Sequence, residues 1–357
     1  MRVKVAGALS KSISVTSGVP QGSVLGPLLF IIYVNFAVSN INCYFKVFAD
    51  DVKLYLVCDR ENLDQMCPVF QQDIDTLVNT SASWGLKMNS SKCVAMRFCP
   101  SYCDVQVSGL STYKVGQEYI SFVESHSDLG ITVDRTLKFH SHITKKVAIL
   151  NGLTNNFLTC TLCRDSEFLM NLYISHIRPH LEYGSSVWNL GYLGDSRLIE
   201  RIQRRWTREV AGLSDLPYDE RLRRLDLFSV QGRLLRADLI LVWKILNGYC
   251  AINPSDIFSF SVAGVTRGHP LKLFLPRSRL EVRHRFFSIR VINIWNSLSH
   301  DTVMADTINS FKSSLRGDSG QKLFQFAEVL ICDLQLVFFS SFKRAFKFLL
   351  FSMCLLG

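Results

Sequence analysis

The sequence predicts an α+β fold, and three observations support this prediction. Aromatic and β-branched residues alternate on both sides of Asp50 and Asp51, which is the pattern of a β-hairpin. Apolar residues recur at helical spacing between residues 62 and 82. From about residue 141 onward the helical pattern dominates, and its first clear apolar stripe consists of Ile143, Val147, Leu150 and Leu153.

The predicted hairpin extends from residue 44 to residue 57, with Asp50 and Asp51 at its tip. Two adjacent carboxylates repel each other unless a divalent cation lies between them. Binding Mg²⁺ together with substrate phosphates is the usual role of such a pair. A solvated turn is the alternative, because aspartate is common in turns.

The other elements follow from the same patterns. Residues 25–34 are apolar and long enough to form a helix after a loop rich in glycine and proline. Residues 62–82 are expected to form a helix that packs on the sheet, and residues 93–98 and 119–133 supply strand-like runs. The change to helices predicts a domain boundary near residue 140.

Two motifs in this order resemble a known family. Residues 17–30 read Ser-Gly-Val-Pro-Gln-Gly-Ser-Val-Leu-Gly-Pro-Leu-Leu-Phe, and residues 48–51 read Phe-Ala-Asp-Asp. They closely resemble motifs B and C of reverse transcriptases from jockey-like, non-LTR (LINE) retrotransposons. Residues 84–93 resemble motif D of that family, and residues 128–134 resemble its primer-gripping motif E region. The resemblance covers roughly residues 2–316, including the runs 177–188 and 292–298.

The resemblance implies a domain organisation. We expect an incomplete right-hand polymerase palm, an antiparallel sheet with packed helices, in residues 1–140. A mostly helical thumb-like region would follow in residues 141–250, and a basic C-terminal region in residues 251–316. Residues 317–357 would form an apolar tail.

The resemblance also implies a function, which is RNA-directed DNA polymerase activity with Mg²⁺. The expected partners are an RNA template, a DNA primer or target and nucleotides, without a small-molecule cofactor. Asp50 and Asp51 would hold the metal, and Lys92 of motif D is a candidate for protonating the leaving pyrophosphate. The residues expected to contact the template and nucleotide are Pro20, Gln21, Gly22 and Phe48, and those of the primer grip are Leu129 and Gly130.

Some features depart from the family pattern. Its third metal-binding carboxylate belongs to motif A, before motif B, yet residues 1–16 contain neither aspartate nor glutamate. We therefore interpret Met1 as an internal methionine of a truncated copy that is inactive alone. Phe36 replaces a usual acidic residue and Val52 a common threonine, which are minor changes. The alternatives are a catalytically inactive nucleic-acid-binding protein and an untranslated relic without function.

Charge favours a polyanionic partner, because the formal net charge is +10 and the pI is about 9.1. A predicted helix at residues 196–211 has one apolar face, while Glu200 and Glu209 partly offset the charge on the other. Its basic residues are Arg197, Arg201, Arg204, Arg205 and Arg208. A second basic block, residues 267–290, interleaves arginines with aromatic residues. Both segments could contact phosphates. The alternative for the helix is a solvated surface helix, and the alternative for the block is a basic loop whose aromatic residues pack in a local core.

The 11 cysteines show no disulfide framework and no secretory signal opens the chain, so we expect an intracellular protein, nuclear or cytoplasmic, with reduced thiols. One set, Cys160, Cys163, His176 and His180, has zinc-finger spacing. Pro179 falls between its histidines and would break the helix that should carry both. We therefore expect no zinc finger.

The last residues, 323–357, are strongly apolar. Their charge-free runs, 334–342 and 348–357, are shorter than the roughly 20 residues of a membrane-spanning helix. We therefore do not expect a membrane partner, and a helix that lies on the membrane surface is the alternative. Read-through into flanking sequence is the simpler interpretation, and such a tail would have no packed partner.

Overall fold

A computed structural model describes residues 2–14, 22–58, 62–98, 113–261, 268–317 and 348–354. The chain divides into two compact units. The first consists of Met1–Arg97, Val105–Val123 and Lys347–Gly357, and the second of Phe98–Asp104 and Glu124–Phe346. Both helices and small antiparallel sheets are present, so the predicted α+β class is confirmed. The predicted boundary at residue 140 stays a prediction.

The first unit is built around a four-stranded sheet with the order β3-β4-β10-β5. Two helices belong to this unit, and each of two further strand pairs forms its own small sheet. The strands are β1 (Lys4–Val5), β2 (Ala8–Leu9), β3 (Tyr44–Phe48), β4 (Asp51–Val57), β5 (Val94–Phe98), β6 (Lys114–Val115), β7 (Glu118–Tyr119) and β10 (Phe348–Cys354); the helices are α1 (Leu25–Ala37) and α2 (Leu63–Ser83).

Strand β4 lies in the interior of the sheet, with β3 on one side and β10 on the other. Five consecutive residues of β4, from Val52 to Leu56, are buried. Such a continuous buried run differs from the alternation of a strand that has one solvated face. Strand β3 is an edge strand, and its residues are exposed or half-buried.

Helices α1 and α2 confirm the two helices predicted in this unit, although each ends slightly later than predicted. In α2 the buried stripe of Phe70, Ile74 and Leu77 has the helical spacing that the sequence indicated. Helix α1 is apolar on every side but only partly covered. Leu28 and Phe36, for example, are 54% and 55% exposed.

The C-terminal tail differs from the prediction that it has no packed partner. Strand β10 pairs antiparallel with the whole of β4, from Phe348 opposite Val57 to Cys354 opposite Asp51. The prediction was wrong here because the apolar run was judged by itself. In the structure this run supplies hydrogen-bond partners for the backbone N–H and C=O groups of β4, which is buried and cannot bond to water instead.

The second unit begins with a two-stranded hairpin and continues with helices. One π-helical turn, Tyr173–Ile177, joins two α-helices without interruption. The elements are β8 (Ser125–Asp128), β9 (Ile131–Asp134), α3 (His140–Cys160), α4 (Ser166–Leu172), α5 (Arg178–Glu182), α6 (Ser185–Trp188), α7 (Leu193–Arg208), α8 (Tyr218–Arg224), α9 (Val230–Leu246), α10 (Pro254–Ile257), α11 (Glu281–Arg285), α12 (Phe287–Arg290), α13 (Ile292–Ser297), α14 (His300–Val303) and α15 (Ile308–Gly317).

The interior of the second unit contains both apolar and charged groups. Trp206, Trp243 and Trp295 are almost completely buried. Arg233 of α9 is also fully buried, and it donates hydrogen bonds to Glu182 Oε1 at 2.5 Å and Gln203 Oε1 at 2.7 Å. No helix within the described part of the chain is long and apolar enough to cross a membrane.

Candidate functional site

Asp50 and Asp51 lie at the tip of the hairpin formed by β3 and β4, which confirms the predicted hairpin. Phe48 pairs with Asp51, so the turn consists of Ala49 and Asp50 alone. Ala49 has a φ of +50°, in the left-handed region that such tight turns use. Both aspartates are half-buried, and the next residue, Val52, is completely buried.

The start of the hairpin is fixed by a carboxylate on helix α2. Asp73, which is buried, accepts backbone N–H hydrogen bonds from Asn42 at 3.0 Å and from Cys43 at 2.7 Å. Burial, together with the Asp73 carboxylate, raises the pKa of the Cys43 thiol. These hydrogen bonds attach the first residues of the hairpin to α2, and this attachment helps to position the hairpin tip.

Phe48 is brought next to the aspartates, because it lies directly opposite Asp51 in the register of β3 and β4. Side chains of residues directly opposite in an antiparallel pair lie on the same face of the sheet. The Phe48 side chain is 37% exposed, so part of its ring is accessible beside the tip.

The predicted template and nucleotide loop is only partly described. Pro20 and Gln21 lie outside the described residues. Gly22 is exposed, with a φ of +80°. Just after it, Ser23 Oγ accepts the Gly26 N–H at 3.0 Å at the start of α1. The left-handed backbone at Gly22 explains the need for glycine where the loop enters this helix.

Lys92 of the motif D region lies at the end of a 3₁₀ turn, Ser90–Lys92, that leads into β5. Its side chain is exposed. Strand β10 separates β5 from β4, so these strands are about 10 Å apart at the usual spacing. Trp84 of the same region packs on α1, with its ring centroid 4.9 Å from that of Tyr33 and 5.7 Å from that of Phe36.

Leu129 and Gly130 form the turn of the β8–β9 hairpin in the second unit. Both have positive φ values, +45° and +77°, as a two-residue hairpin turn of this type requires. The Leu129 carbonyl accepts a hydrogen bond from the Tyr183 hydroxyl at 2.8 Å. The turn of the β8–β9 hairpin is therefore anchored to Tyr183, within the run 177–188 that also carries the family resemblance.

The arginine-rich helix is α7, which begins and ends about three residues earlier than predicted. Ile199, Ile202 and Trp206 are buried on one face, as expected. All of the predicted phosphate-binding residues are exposed: Arg197, Arg201, Arg204, Arg205 and Arg208. Within the described residues, none of these five arginines forms an ion pair, and the Arg204 guanidinium lies 4.5 Å from the Tyr218 ring centroid.

Glu200 does not offset the charge of this surface, contrary to the sequence-based expectation. Its carboxylate accepts the backbone N–H of Val230 at 3.0 Å and of Gln231 at 3.4 Å, at the first residues of α9. Tyr218 also donates its hydroxyl hydrogen to Glu200. A carboxylate at a helix N-terminus is stabilised by the orphan amides there. The negative charge thus faces inward and the exposed surface of α7 stays basic.

Several residues of the second basic block make contacts within the second unit. Arg290 makes a two-pronged ion pair with the buried Asp238, at 2.9 and 3.1 Å. Arg285 pairs with Glu281 at 2.9 Å, and Phe287 is buried. Arg267 lies outside the described residues. These contacts agree with a basic segment that has aromatic residues in a local core, whereas Arg277 and Arg279 are exposed. Whether the block also binds a single-stranded nucleic acid stays a prediction.

The residues with zinc-finger spacing are spread over a loop and helices. Cys160 ends α3, Cys163 is in the following loop, and both are exposed. His176 lies in the π-helical turn and His180 in α5. Among the residues that the structure describes, no cluster of three or more histidine, cysteine, aspartate or glutamate side chains could hold a metal ion.

His142, which the sequence did not single out, is buried beside the β8–β9 hairpin. Its Nδ1 accepts the Thr132 N–H at 3.0 Å, so the imidazole must be neutral on that side. Burial, with smaller effects from Lys146 and Lys145, lowers the pKa of His142 to about 4. This contact joins β9 to α3 through a single imidazole nitrogen, and no periodic pattern in the sequence indicates such a contact.

Stability is expected to fall on acidification because of His142. Between pH 6.5 and 4 the unfolded chain binds a proton that the folded chain excludes, so stability rises with pH in this window. At pH 4.5 the loss is about 2–3 kcal/mol relative to pH 7. Urea unfolding at both pH values measures it. The His142→Gln variant should lose less stability over this interval, and an equal loss in both proteins would contradict the assignment.

Comparisons with known proteins agree with the motifs. The family model described as reverse transcriptase (RNA-dependent DNA polymerase) matches residues 2–143. The RNA-directed DNA polymerase from mobile element jockey of Drosophila melanogaster is 26% identical over 232 residues, which are 59% of this chain and 23% of that protein. The probable RNA-directed DNA polymerase from transposon X-element of the same species is 26% identical over 220 residues, 59% of this chain and 23% of that protein. No solved structure matches.

These findings confirm the resemblance. Residues 2–143 are similar to reverse transcriptases, and the chain is similar to RNA-directed DNA polymerases of mobile elements of the non-LTR, LINE-like type. It spans about a quarter of the length of the curated relatives it matches, as illustrated by the probable RNA-directed DNA polymerase from transposon BS of Drosophila melanogaster, where 25% is covered.

Proposed function

We propose that this chain is the part of an RNA-directed DNA polymerase that presents the metal-binding hairpin of the palm. The observation that carries the proposal is the pair Asp50 and Asp51 at a tight hairpin tip, within the segment that matches reverse transcriptases. The partners would be an RNA template, a DNA primer and nucleotides. The second unit would then contain the thumb.

Mg²⁺ is the cofactor that fits this donor set. The ion prefers carboxylate oxygens, and it is commonly held by one or two carboxylates plus substrate phosphates. Asp50 and Asp51 supply two carboxylates at one half-buried position. When bound, the metal would neutralise phosphate charge and orient a primer hydroxyl and a nucleotide. Two carboxylates without a phosphate ligand would bind it weakly.

The neighbouring side chains would orient the substrates. Phe48 offers an apolar surface beside Asp51 against which a nucleotide or primer end can pack. Gly22, with Pro20 and Gln21 before it, would contact the template–nucleotide pair, and an exposed glycine allows close backbone approach. Leu129 and Gly130 would contact the primer, and Lys92 would donate a proton to the leaving pyrophosphate.

The chain is expected to be inactive in polymerisation by itself. The family's third metal-binding carboxylate belongs to motif A, and neither of the strands that pair with β4, which are β3 and β10, contains an acidic residue. Primer extension on an RNA template with Mg²⁺ or Mn²⁺ should therefore stay at background. Extension above background, if the Asp50→Ala substitution abolishes it, would show that Asp50 and Asp51 support catalysis without a third carboxylate.

A second candidate function is nucleic-acid binding without catalysis. It is favoured by the five exposed arginines of α7 and by the inward direction of Glu200. Guanidinium groups on one face of a helix can bind phosphates in a charge-assisted manner, independent of base sequence. Such binding would persist in an Asp50→Asn, Asp51→Asn variant, whereas metal-dependent polymerisation in an intact enzyme would not.

A further inference from the structure

The sheet of the first unit contains two buried strands that do not pair with each other. Strand β4 is buried from Val52 to Leu56, and β5 is buried at Ala95, Met96 and Phe98. In the order β3-β4-β10-β5, their facing edges are separated by one strand position. If that position were empty, the backbone N–H and C=O groups along one edge of each of these two largely buried strands would lack partners, which is costly.

The chain fills this position with a segment from a distant part of its sequence. Strand β10 pairs with β4 along its full length, from residue 57 to residue 51. The preceding described element, α15, ends at Gly317 and belongs to the second unit, so residues 318–347 connect it to Phe348.

The segment itself is suited to pairing with any such gap. Phe348–Cys354 reads Phe-Leu-Leu-Phe-Ser-Met-Cys and contains no charge, proline or glycine. Strand addition of this kind obtains its affinity from main-chain hydrogen bonds, and it is open to an identical strand from another molecule.

We propose that the gap between β4 and β5 is a strand-acceptor site, and that the Phe348–Cys354 strand of one copy can be replaced by that of a second copy. The site takes an extended apolar segment, which adds backbone hydrogen bonds to β4 on one side and to β5 on the other. The inference does not depend on the polymerase assignment, because it rests only on the pairing of the strands.

Hydrogen exchange of the full chain, with an added peptide of residues 343–354, tests the proposal. These residues include Lys343, Arg344 and Lys347, which aid solubility. Saturating peptide should displace the chain's own strand, so the amides of Phe348–Cys354 should exchange at least ten times faster. The amides of β4 should stay protected, because the peptide replaces β10. A control peptide with Leu350→Pro lacks a ladder N–H and should have no effect.

A variant chain provides the second measurement. In the full chain, Leu350→Pro should weaken β10, so that β4 amides exchange at least tenfold faster and the wild-type peptide restores their protection. The amides of α9 in the second unit report whether the rest of the protein stays folded. The proposal is overturned if the wild-type peptide leaves the exchange of Phe348–Cys354 unchanged, or if the proline peptide acts equally well.

Discussion

Replacing Glu182 by alanine is expected to destabilise the second unit by about 3–5 kcal/mol, the cost of breaking a buried ion pair by removing one partner. Glu182 is 3% exposed, and its Oε1 accepts hydrogen bonds from Arg178 at 2.8 Å and Arg233 at 2.5 Å. Without this carboxylate, two buried guanidinium groups would lose their counter-charge.

The consequences extend beyond the ion pairs, because Arg233 connects three helices. It also donates to Gln203 of α7 and to the Tyr173 hydroxyl, at 2.7 and 2.9 Å. Burial raises the pKa of Tyr173 to about 12, so the phenol stays protonated and donates to Gln203. Removing Glu182 would disturb this whole network, which fixes the position of α7.

Urea unfolding, monitored by tryptophan fluorescence, measures the effect. Glu281→Ala is a matched control, because it removes an exposed i,i+4 partner of Arg285 and should cost no more than about 0.5 kcal/mol. Should Glu182→Ala cost no more than the control, Glu182 would not be the centre of the network.

The second large effect concerns nucleic-acid binding by α7. Replacing Arg201, Arg204, Arg205 and Arg208 with alanine is expected to weaken binding to RNA and DNA alike, by roughly tenfold or more at low salt. Neutralising a phosphate releases counterions, so the slope of log K against log salt should become shallower by up to about 0.9 for each phosphate that the variant leaves unneutralised. Fluorescence anisotropy with labelled RNA and DNA at several salt concentrations measures both quantities.

An appropriate control is the pair Arg223→Ala and Arg224→Ala on α8. Both arginines are exposed, but each forms an ion pair with Glu220. Their removal should therefore change affinity much less than the four substitutions in α7. If affinity does not change with salt concentration, or if the α7 variant binds as well as the wild type, the arginine face of α7 is only a solvated surface.

Patterns with a short period were sufficient to predict much of the fold. Alternation around Asp50 and Asp51 predicted the hairpin and its tip, because the turn and both strands are local in sequence. Helical spacing predicted α2 and α7 within a few residues. The exposed arginines of α7 followed from the same spacing, since the apolar face fixes which side is buried.

Features that depend on distant residues were not predictable in this way. The pairing of β10 with β4 joins residues about 300 positions apart, and no periodicity marks it. Arg290 is a free positive charge in the sequence pattern, whereas the fold pairs it with Asp238 on another helix. Glu200 and Glu182 likewise belong to buried contacts, although net charge alone treats them as surface groups.

Metal binding at the hairpin tip is the most direct test of the central claim. Mn²⁺ or Mg²⁺ titrated into the full chain should bind with a dissociation constant on the order of millimolar, as expected for two carboxylates without phosphate ligands. The double variant Asp50→Asn, Asp51→Asn should lose this binding, and the control Asp75→Asn, an exposed aspartate on α2, should retain it. Unchanged affinity in the double variant would contradict the assignment of these residues as the metal site.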